Sequence, residues 1–235
     1  MLPIKDDQPR YSTPFVNYFL IGLNIVIFLL QWFQIMGDPR GAEQFARTFG
    51  EVPAHLAAFL AGSPKYTFPS VVVPFFTSMF LHAGWAHVLG NMWWLWIFGD
   101  NVEDYLGHFK YLLFYLLSGL IAMTTQIAIY PHSTVPTVGA SGAIAGVLGA
   151  YFILYPRARV LTWFFLFVFY LPAWVVLGEW FVVQFLSGTA ALQMAHVGRE
   201  VGGVAFWAHV GGFVAGVVMI KVFPERQRRY PYAYR

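Results

Sequence analysis

Two residues of the chain could together carry out acyl-transfer chemistry: Ser141, in the segment GASGA, and His209, in the segment AHVGG. An imidazole that takes the hydroxyl proton allows a serine to attack a carbonyl carbon. Both residues lie in apolar stretches, where polar side chains are costly and commonly functional. The alternatives are a serine that only begins a helix and a histidine that only packs inside one. The pattern Gly-x-Ser-x-Gly of soluble hydrolases is not met, because position 143 is Ala.

A third polar group, His82 with His87 and Asn91, lies at the start of another apolar stretch. His87 and Asn91 are four residues apart and therefore share one face of a helix. At about 1.5 Å per residue, Asn91, Ser141 and His209 lie roughly 19, 21 and 18 Å from the predicted inner ends of their helices. Three separate helices thus place polar groups at one height, in the outer half of a membrane. Residues that serve only helix packing would not need to lie at the same depth.

Glycines at helical spacing would allow the helices of Ser141 and His209 to approach closely. Small residues at intervals of three or four let helix backbones meet. The first helix carries Gly142, Gly146 and Gly149, and the second carries Gly212 and Gly216. A tight contact between these helices would bring Ser141 to His209, although glycines that serve packing alone fit the same residues.

The composition indicates a membrane protein. Apolar residues make up 58% of the 235 and charged residues 11%, against roughly half and a quarter in soluble domains. A core of this size could not hide so much apolar surface, so lipid is the expected solvent. The net charge of +3 gives no reason to expect nucleic acid, and the lack of cysteine excludes disulfides and thiolate sites. Residues 1–14 are polar, so we expect a retained first helix rather than a cleaved signal peptide.

Prolines and charged residues divide the apolar sequence into six predicted spanning helices. These cover residues 15–35, about 84–104, 109–129, 140–155, 160–186 and 202–222. The fifth is interrupted by Pro172 and Glu179, and a Gly-rich loop near 187–201 follows it. Residues 38–65 are expected to form a long loop with some interfacial helix.

The basic residues predict the orientation. With both ends inside, ten Lys and Arg residues lie on the inner side and four on the outer, as the positive-inside rule requires. The predicted fold is therefore an all-α membrane protein, a bundle of six transmembrane helices with both termini cytoplasmic. It divides into a cytoplasmic segment 1–14, a membrane domain 15–222 and a basic cytoplasmic tail 223–235.

In this order and spacing, the motifs resemble those of the rhomboid family of intramembrane serine proteases. The matching pieces are HAGWAHVLGN at 82–91, GDNVEDYLG at 99–107, GASG at 139–142 and AHVGG at 208–212. The resemblance covers about residues 15–222, and although each motif alone is weak, the ordered set is specific.

The resemblance implies a serine endopeptidase that cuts transmembrane segments of other proteins near their outer ends. It implies Ser141 as nucleophile and His209 as general base, with His87, Asn91, Ser141 and Gly142 stabilising the oxyanion. Gly139, Gly146, Gly212 and Gly216 would pack the helices at the site. No cofactor and no metal are expected, and the partners are membrane-protein substrates and the lipid bilayer. The compact form suggests a bacterial inner membrane.

Three features depart from the pattern of the family. No Trp-Arg pair occurs between Met36 and Phe80, and Ala145 occupies a position where some relatives carry an aromatic residue packed on the histidine. Another side chain must therefore hold His209. Glu179 has no family counterpart and could face a polar cavity, tune a substrate gate or reach the interface.

Other functions stay open at this stage. A catalytically silent relative could bind transmembrane segments, although such proteins usually lack the Ser or the His. A channel or transporter would carry ionisable residues along a path through the membrane, rather than at one height. A metal site built from His82, His87 and His209 would lack a carboxylate or thiolate ligand.

Overall fold

The structure, a computed structural model, describes residues 1–196 and 203–226. In this part of the chain, helices and a small antiparallel sheet form the fold. The α-helices are α1 (Phe15–Ile35), α2 (Pro39–Phe49), α3 (Pro53–Leu60), α4 (Phe68–Thr77), α5 (Trp85–Leu106), α6 (His108–Ile129), α7 (Ser141–Leu154), α8 (Ala173–His196) and α9 (Phe206–Met219). The strands are β1 (Leu2–Lys5), β2 (Arg159–Phe164) and β3 (Phe167–Pro172), and a short 3-10 turn covers Ser78–Phe80.

Helix α7 is the centre of the fold, because α5, α6, α8 and α9 all pack against it. Nearly every residue from Gly142 to Tyr151 is buried. A helix that is apolar all round and buried on every side belongs to a protein interior. The two ends of α7 therefore have fixed positions, and the first of them carries Ser141.

Most of the predicted helix boundaries are confirmed. Helix α1 has the predicted limits, α6 begins one residue earlier than predicted, and α5 begins directly after Gly84. The long loop contains the short helices α2 and α3, and α4 follows with Pro69 at its start. Proline is tolerated there because the first N–H groups of a helix have no internal partner.

The number of membrane spans stays a prediction. By length and composition, three helices can cross a membrane, namely α1, α6 and residues Ala173–Ala195 of α8. A fourth span would join α4 to α5, which meet at a bend of 74°. Helices α7 and α9 are apolar but have 14 residues each, about 21 Å of helix against a hydrocarbon core of about 30 Å.

The fold is mostly helical rather than all-α, and the fifth helix, predicted over 160–186, begins only at Ala173. Residues 159–172 form the hairpin β2–β3, in which Phe164 pairs with Phe167 across a two-residue turn. The hairpin is rich in aromatic and β-branched residues, which favour strands, and Pro172 ends it before α8 begins. The predicted loop near 187–201 is also wrong in its first part, since α8 continues to His196. Residues 197–202 lie outside the described residues.

The first five residues complete the sheet. Strand β1 pairs antiparallel with β2, and Leu2 lies opposite Trp163. The indole N–H of Trp93 in α5 donates to the carbonyl oxygen of Pro3 over 2.7 Å. The N-terminal segment is thus part of the folded structure.

Both described ends of the chain lie at the same end of the bundle, where α5 connects to α6. The N–H of Tyr11 donates to the Asp104 carboxylate over 3.1 Å, and that of Arg226 to the Tyr105 carbonyl oxygen over 2.8 Å. Which side of the membrane this end faces stays a prediction, and residues 227–235 of the predicted tail lie outside the described residues.

Candidate active site

Ser141 is the first residue of α7. The first N–H groups of a helix have no intrahelical acceptor, and the helix dipole places partial positive charge at this end. The backbone N–H groups of Ser141 and Gly142 therefore suit a negatively charged oxygen. The serine side chain lies at the same point, so nucleophile and anion donors share one position.

His209, in the first turn of α9, faces Ser141. Its Nε2 atom lies 2.7 Å from the Ser141 Oγ atom, and its side chain is buried. This is the distance of a good hydrogen bond between a hydroxyl and a neutral imidazole nitrogen. The structure thus brings together the two residues that the sequence placed on separate helices.

The close approach of α7 to α9 depends on glycine. A methyl group at Gly212 would overlap the carbonyl oxygen of Gly142, and one at Gly216 would overlap that of Gly146. Backbone atoms cannot move aside as a flexible side chain can, so these positions have no room for a Cβ atom. Three of the four predicted packing glycines, at 146, 212 and 216, lie in this contact.

Gly139, the fourth, does not pack one helix on another. It lies just before α7 with a positive φ of 134°, a conformation that favours glycine. A Cβ atom there would also come within 2.8 Å of the Nε2 atom of His87. The turn therefore lets the imidazole of His87 lie against the chain that leads into Ser141.

His87 presents a donor at this place. The N–H of Ala83 donates to His87 Nδ1 over 3.3 Å, so the hydrogen of the neutral ring is on Nε2. This Nε2–H group faces the segment before Ser141. The ring is half-buried.

Asn91, one turn further along α5, is buried and carries a second donor. Among the described residues, its Nδ2 atom has no hydrogen-bond partner. A buried amide without a partner is uncommon, because it loses its bonds to water. The Asn91 amide therefore keeps an unused capacity to donate one hydrogen bond.

His82 lies apart from this arrangement. It is fully buried, its ring is 5.0 Å from that of His87 between centroids, and neither of its nitrogens has a partner in the described part of the chain. Within residues 1–196 and 203–226, no three His, Asp or Glu side chains converge as metal ligands.

Two residues of α8 contact His209, and sequence analysis missed both. Gln184 Oε1 lies 2.8 Å from His209 Nδ1, and the Trp180 ring lies 5.7 Å from the imidazole at 33°. They take the place of the aromatic residue that is absent at Ala145. The sequence feature that could have revealed them is a Gln within an apolar helix, four residues after a Trp on the same helix face.

Glu179 does not join the site. Its carboxylate lies 3.7 Å from the amino nitrogen of Met1, and its side chain is 40% exposed.

A cavity of about 530 Å³ opens beside the dyad. Its lining includes His87, Gln126 and loop residues 136–138, just before Ser141, and residues 205–207, just before the segment of His209. The cavity is bordered on two sides by the chain segments that lead into the dyad.

Comparison with known proteins agrees with the motifs. The family model of the Rhomboid domain matches residues 69–226. Rhomboid protein 1, mitochondrial, of Saccharomyces cerevisiae is 33% identical over 67% of this chain and 45% of its own length. Rhomboid-like protein 11, chloroplastic, of Arabidopsis thaliana is 30% identical over 62% of this chain and 50% of its own. Rhomboid protease GluP of Bacillus subtilis is 34% identical over 58% of this chain and 24% of its own.

The chain thus spans half the length of these relatives or less. Two of the three are organellar, so they do not support the predicted bacterial inner membrane.

Proposed function

The chain belongs to the rhomboid family, and from that premise we propose that it is an intramembrane serine endopeptidase. Family membership and the long apolar helices make it an integral membrane protein. The proposed reaction is hydrolysis of a peptide bond in or near a transmembrane segment of another membrane protein. The partners are such proteins and the surrounding lipid, and the reaction needs no cofactor.

The observation that carries the proposal is the 2.7 Å contact between His209 Nε2 and Ser141 Oγ. In the first step Oγ attacks the peptide carbonyl carbon while Nε2 takes the hydroxyl proton. The imidazolium then gives this proton to the leaving amine as the C–N bond breaks. A water molecule, deprotonated by the same nitrogen, hydrolyses the acyl-enzyme and frees Ser141.

The negative charge that develops on the carbonyl oxygen would be stabilised by four donors. These are the backbone N–H groups of Ser141 and Gly142, the His87 Nε2–H group and the Asn91 amide. Donors of this kind are worth about 3–4 kcal/mol each in soluble serine proteases. The partnerless Asn91 amide supports the assignment, because an oxyanion would supply the hydrogen bond that this donor lacks.

A silent protein that only binds transmembrane segments is the alternative. Binding alone would not require an imidazole nitrogen to face a serine hydroxyl at hydrogen-bond distance. The intact dyad and the adjacent donors therefore favour the enzyme.

The test is cleavage of a transmembrane reporter by purified protein in liposomes. We expect the wild type to cleave and Ser141→Ala to have lost all cleavage. Ser118→Ala is the matched control, because Ser118 is a buried serine of α6 that lies against Gly146 and not against an imidazole. It should cleave like the wild type. A folded wild type that binds the reporter and leaves it intact would refute the proposal.

A further inference from the structure

Helix α8 supplies the second hydrogen bond of the His209 ring. Gln184 lies in the middle of this helix, and its side-chain oxygen accepts from His209 Nδ1 over 2.8 Å. The other ring nitrogen faces Ser141 over 2.7 Å. The three side chains thus form a continuous line, Gln184, His209 and Ser141, drawn from three different helices.

We propose that Gln184 is the positioning residue of the dyad. Its amide oxygen keeps the hydrogen of neutral His209 on Nδ1 and so leaves the Nε2 lone pair free for the Ser141 proton. This inference rests on the proposed function and names a third participant in it.

The tautomer is decisive for the chemistry. A neutral imidazole carries one N–H group, and the amide oxygen of Gln184 can only accept. With the hydrogen on Nδ1, the Nε2 lone pair meets the serine hydroxyl and can take its proton. With the hydrogen on Nε2, the ring would donate to Oγ, could not act as a base there, and would turn a lone pair toward the Gln184 oxygen.

Trp180 fixes the plane of the same ring. It lies one helical turn before Gln184 and therefore on the same face of α8. Its ring stacks at a tilt of 33° on His209 and also lies 6.0 Å from Trp94 of α5. Trp180 thus lies between α5 and His209 of α9 and covers one face of the imidazole.

A neutral amide suits this partly buried position better than a carboxylate would. In the Ser-His-Asp triad an aspartate orients the base, but an ionised group inside a membrane protein is costly. The nearby carboxylate, Glu179, points elsewhere, toward the amino group of Met1. Within the described ranges, the ionisable side chain that acts electrostatically on the imidazole is His87 of α5. Gln184 therefore orients the base without adding a charge.

The experiment compares Gln184→Leu and Gln184→Glu with the wild type in the liposome assay. Removing the acceptor should lower kcat about 10- to 100-fold with little change in KM, the effect of one lost hydrogen bond to a group that becomes charged. The glutamate variant restores an acceptor, so it should recover most of this activity. Its negative charge favours the protonated imidazole, so the acid limb of its pH–rate profile should move to higher pH.

Thr189→Val is the matched control on the same helix. The Thr189 hydroxyl donates to the Leu186 carbonyl oxygen of its own helix, so its loss should change neither kcat nor the pH profile. Wild-type activity in Gln184→Leu would refute the inference. So would equal losses in both Gln184 variants with an unshifted pH profile, because that pattern is expected of a purely structural residue.

A spectroscopic measurement separates this inference from the proposed function. In ¹⁵N-histidine-labelled protein, the signals of His209, assigned by their loss in His209→Ala, should show a protonated Nδ1 in the wild type. Gln184→Leu should show a mixture of tautomers. An Nε2-protonated wild type would overturn the positioning role whether or not the protein cleaves, and a wild type that cleaves nothing would sink the enzyme while leaving the tautomer measurable.

Discussion

Asn91→Ala should abolish most of the activity while leaving the fold almost as stable as before. The Nδ2 atom of Asn91 is buried and has no partner in the described part of the chain, and in the proposed role it donates to the substrate oxygen as negative charge develops there. All of its contribution would come in the transition state, and kcat should therefore fall while KM stays the same. The loss of one oxyanion donor predicts a fall of about 100- to 1000-fold in kcat.

The free energy of unfolding, in contrast to the activity, should hardly change in Asn91→Ala. An unsatisfied buried donor costs about 1–3 kcal/mol, and this penalty disappears in the variant. The loss of three side-chain heavy atoms removes packing energy of similar size, because each buried carbon group contributes about 0.8 kcal/mol. The two terms nearly cancel, so the free energy of unfolding should change by less than about 1 kcal/mol.

The assay is single-turnover cleavage in liposomes beside thermal unfolding in detergent. Asn24→Ala is the matched control, because Asn24 is another buried asparagine with a partnerless side-chain atom, and its amide donates to the Leu20 carbonyl oxygen of its own helix. Its kcat should stay at the wild-type value. The reasoning is refuted if Asn91→Ala keeps more than about a third of the wild-type kcat, against the fall expected for a lost donor, or if Asn24→Ala loses as much.

Three further outcomes follow from the structure. Gly216→Ala should destabilise the protein by about 1–3 kcal/mol or more, because the added methyl group would overlap backbone atoms of Gly146. Gly22→Ala should leave the stability unchanged, since a methyl group there meets nothing within 4 Å. Thermal unfolding of the two variants tests the difference. Burial raises the pKa of Glu51 to about 7, so the folded state holds this proton more tightly than the unfolded state and stability should fall as pH rises from about 4.5 to 7. Glu51→Gln should lack that fall in unfolding scans at pH 5 and 7.5, and parallel curves for both proteins would contradict the assignment. Glu103→Gln should lower the unfolding free energy by about 2–4 kcal/mol, because this carboxylate accepts two backbone N–H groups at the start of α1. Its kcat per active site should be unchanged when the active sites are counted by titration with a serine-reactive inhibitor.

Where prolines, glycines or charged residues separate the apolar runs, the sequence predicted the helix boundaries to within a few residues. Gly84 and Gly107 flank α5, and α1 is a largely apolar run without a charged residue. The hairpin escaped prediction because a long apolar run is typical of a spanning helix. Its turn, Phe165–Leu166, has none of the Gly or Asn that mark most two-residue turns, and Phe165 adopts a positive φ of 54° instead.

The same error hid part of the site. Motifs identified Ser141 and His209, but the orientation of a polar side chain in the fifth helix depends on where that helix begins. In a helix over 160–186 the charged Glu179 was the candidate for a functional side chain. The uncharged Gln184 is the residue that contacts His209, and Glu179 lies by the amino group of Met1. The side chains that face a neighbouring helix depend on how each helix is rotated about its own axis. No motif in this sequence predicts that rotation for α8.

The pairing of β1 with β2 also sets an order on assembly. Strand β1 is synthesised well before its partner β2, which follows α7 in the chain, so it must wait for β2 before it can pair. Contacts between such distant segments close large loops and form late. The sheet therefore cannot form before β2 has been made, and an unpaired β1 segment marks a molecule whose assembly is unfinished. Protease sensitivity at Lys5 should thus count the immature molecules in a population.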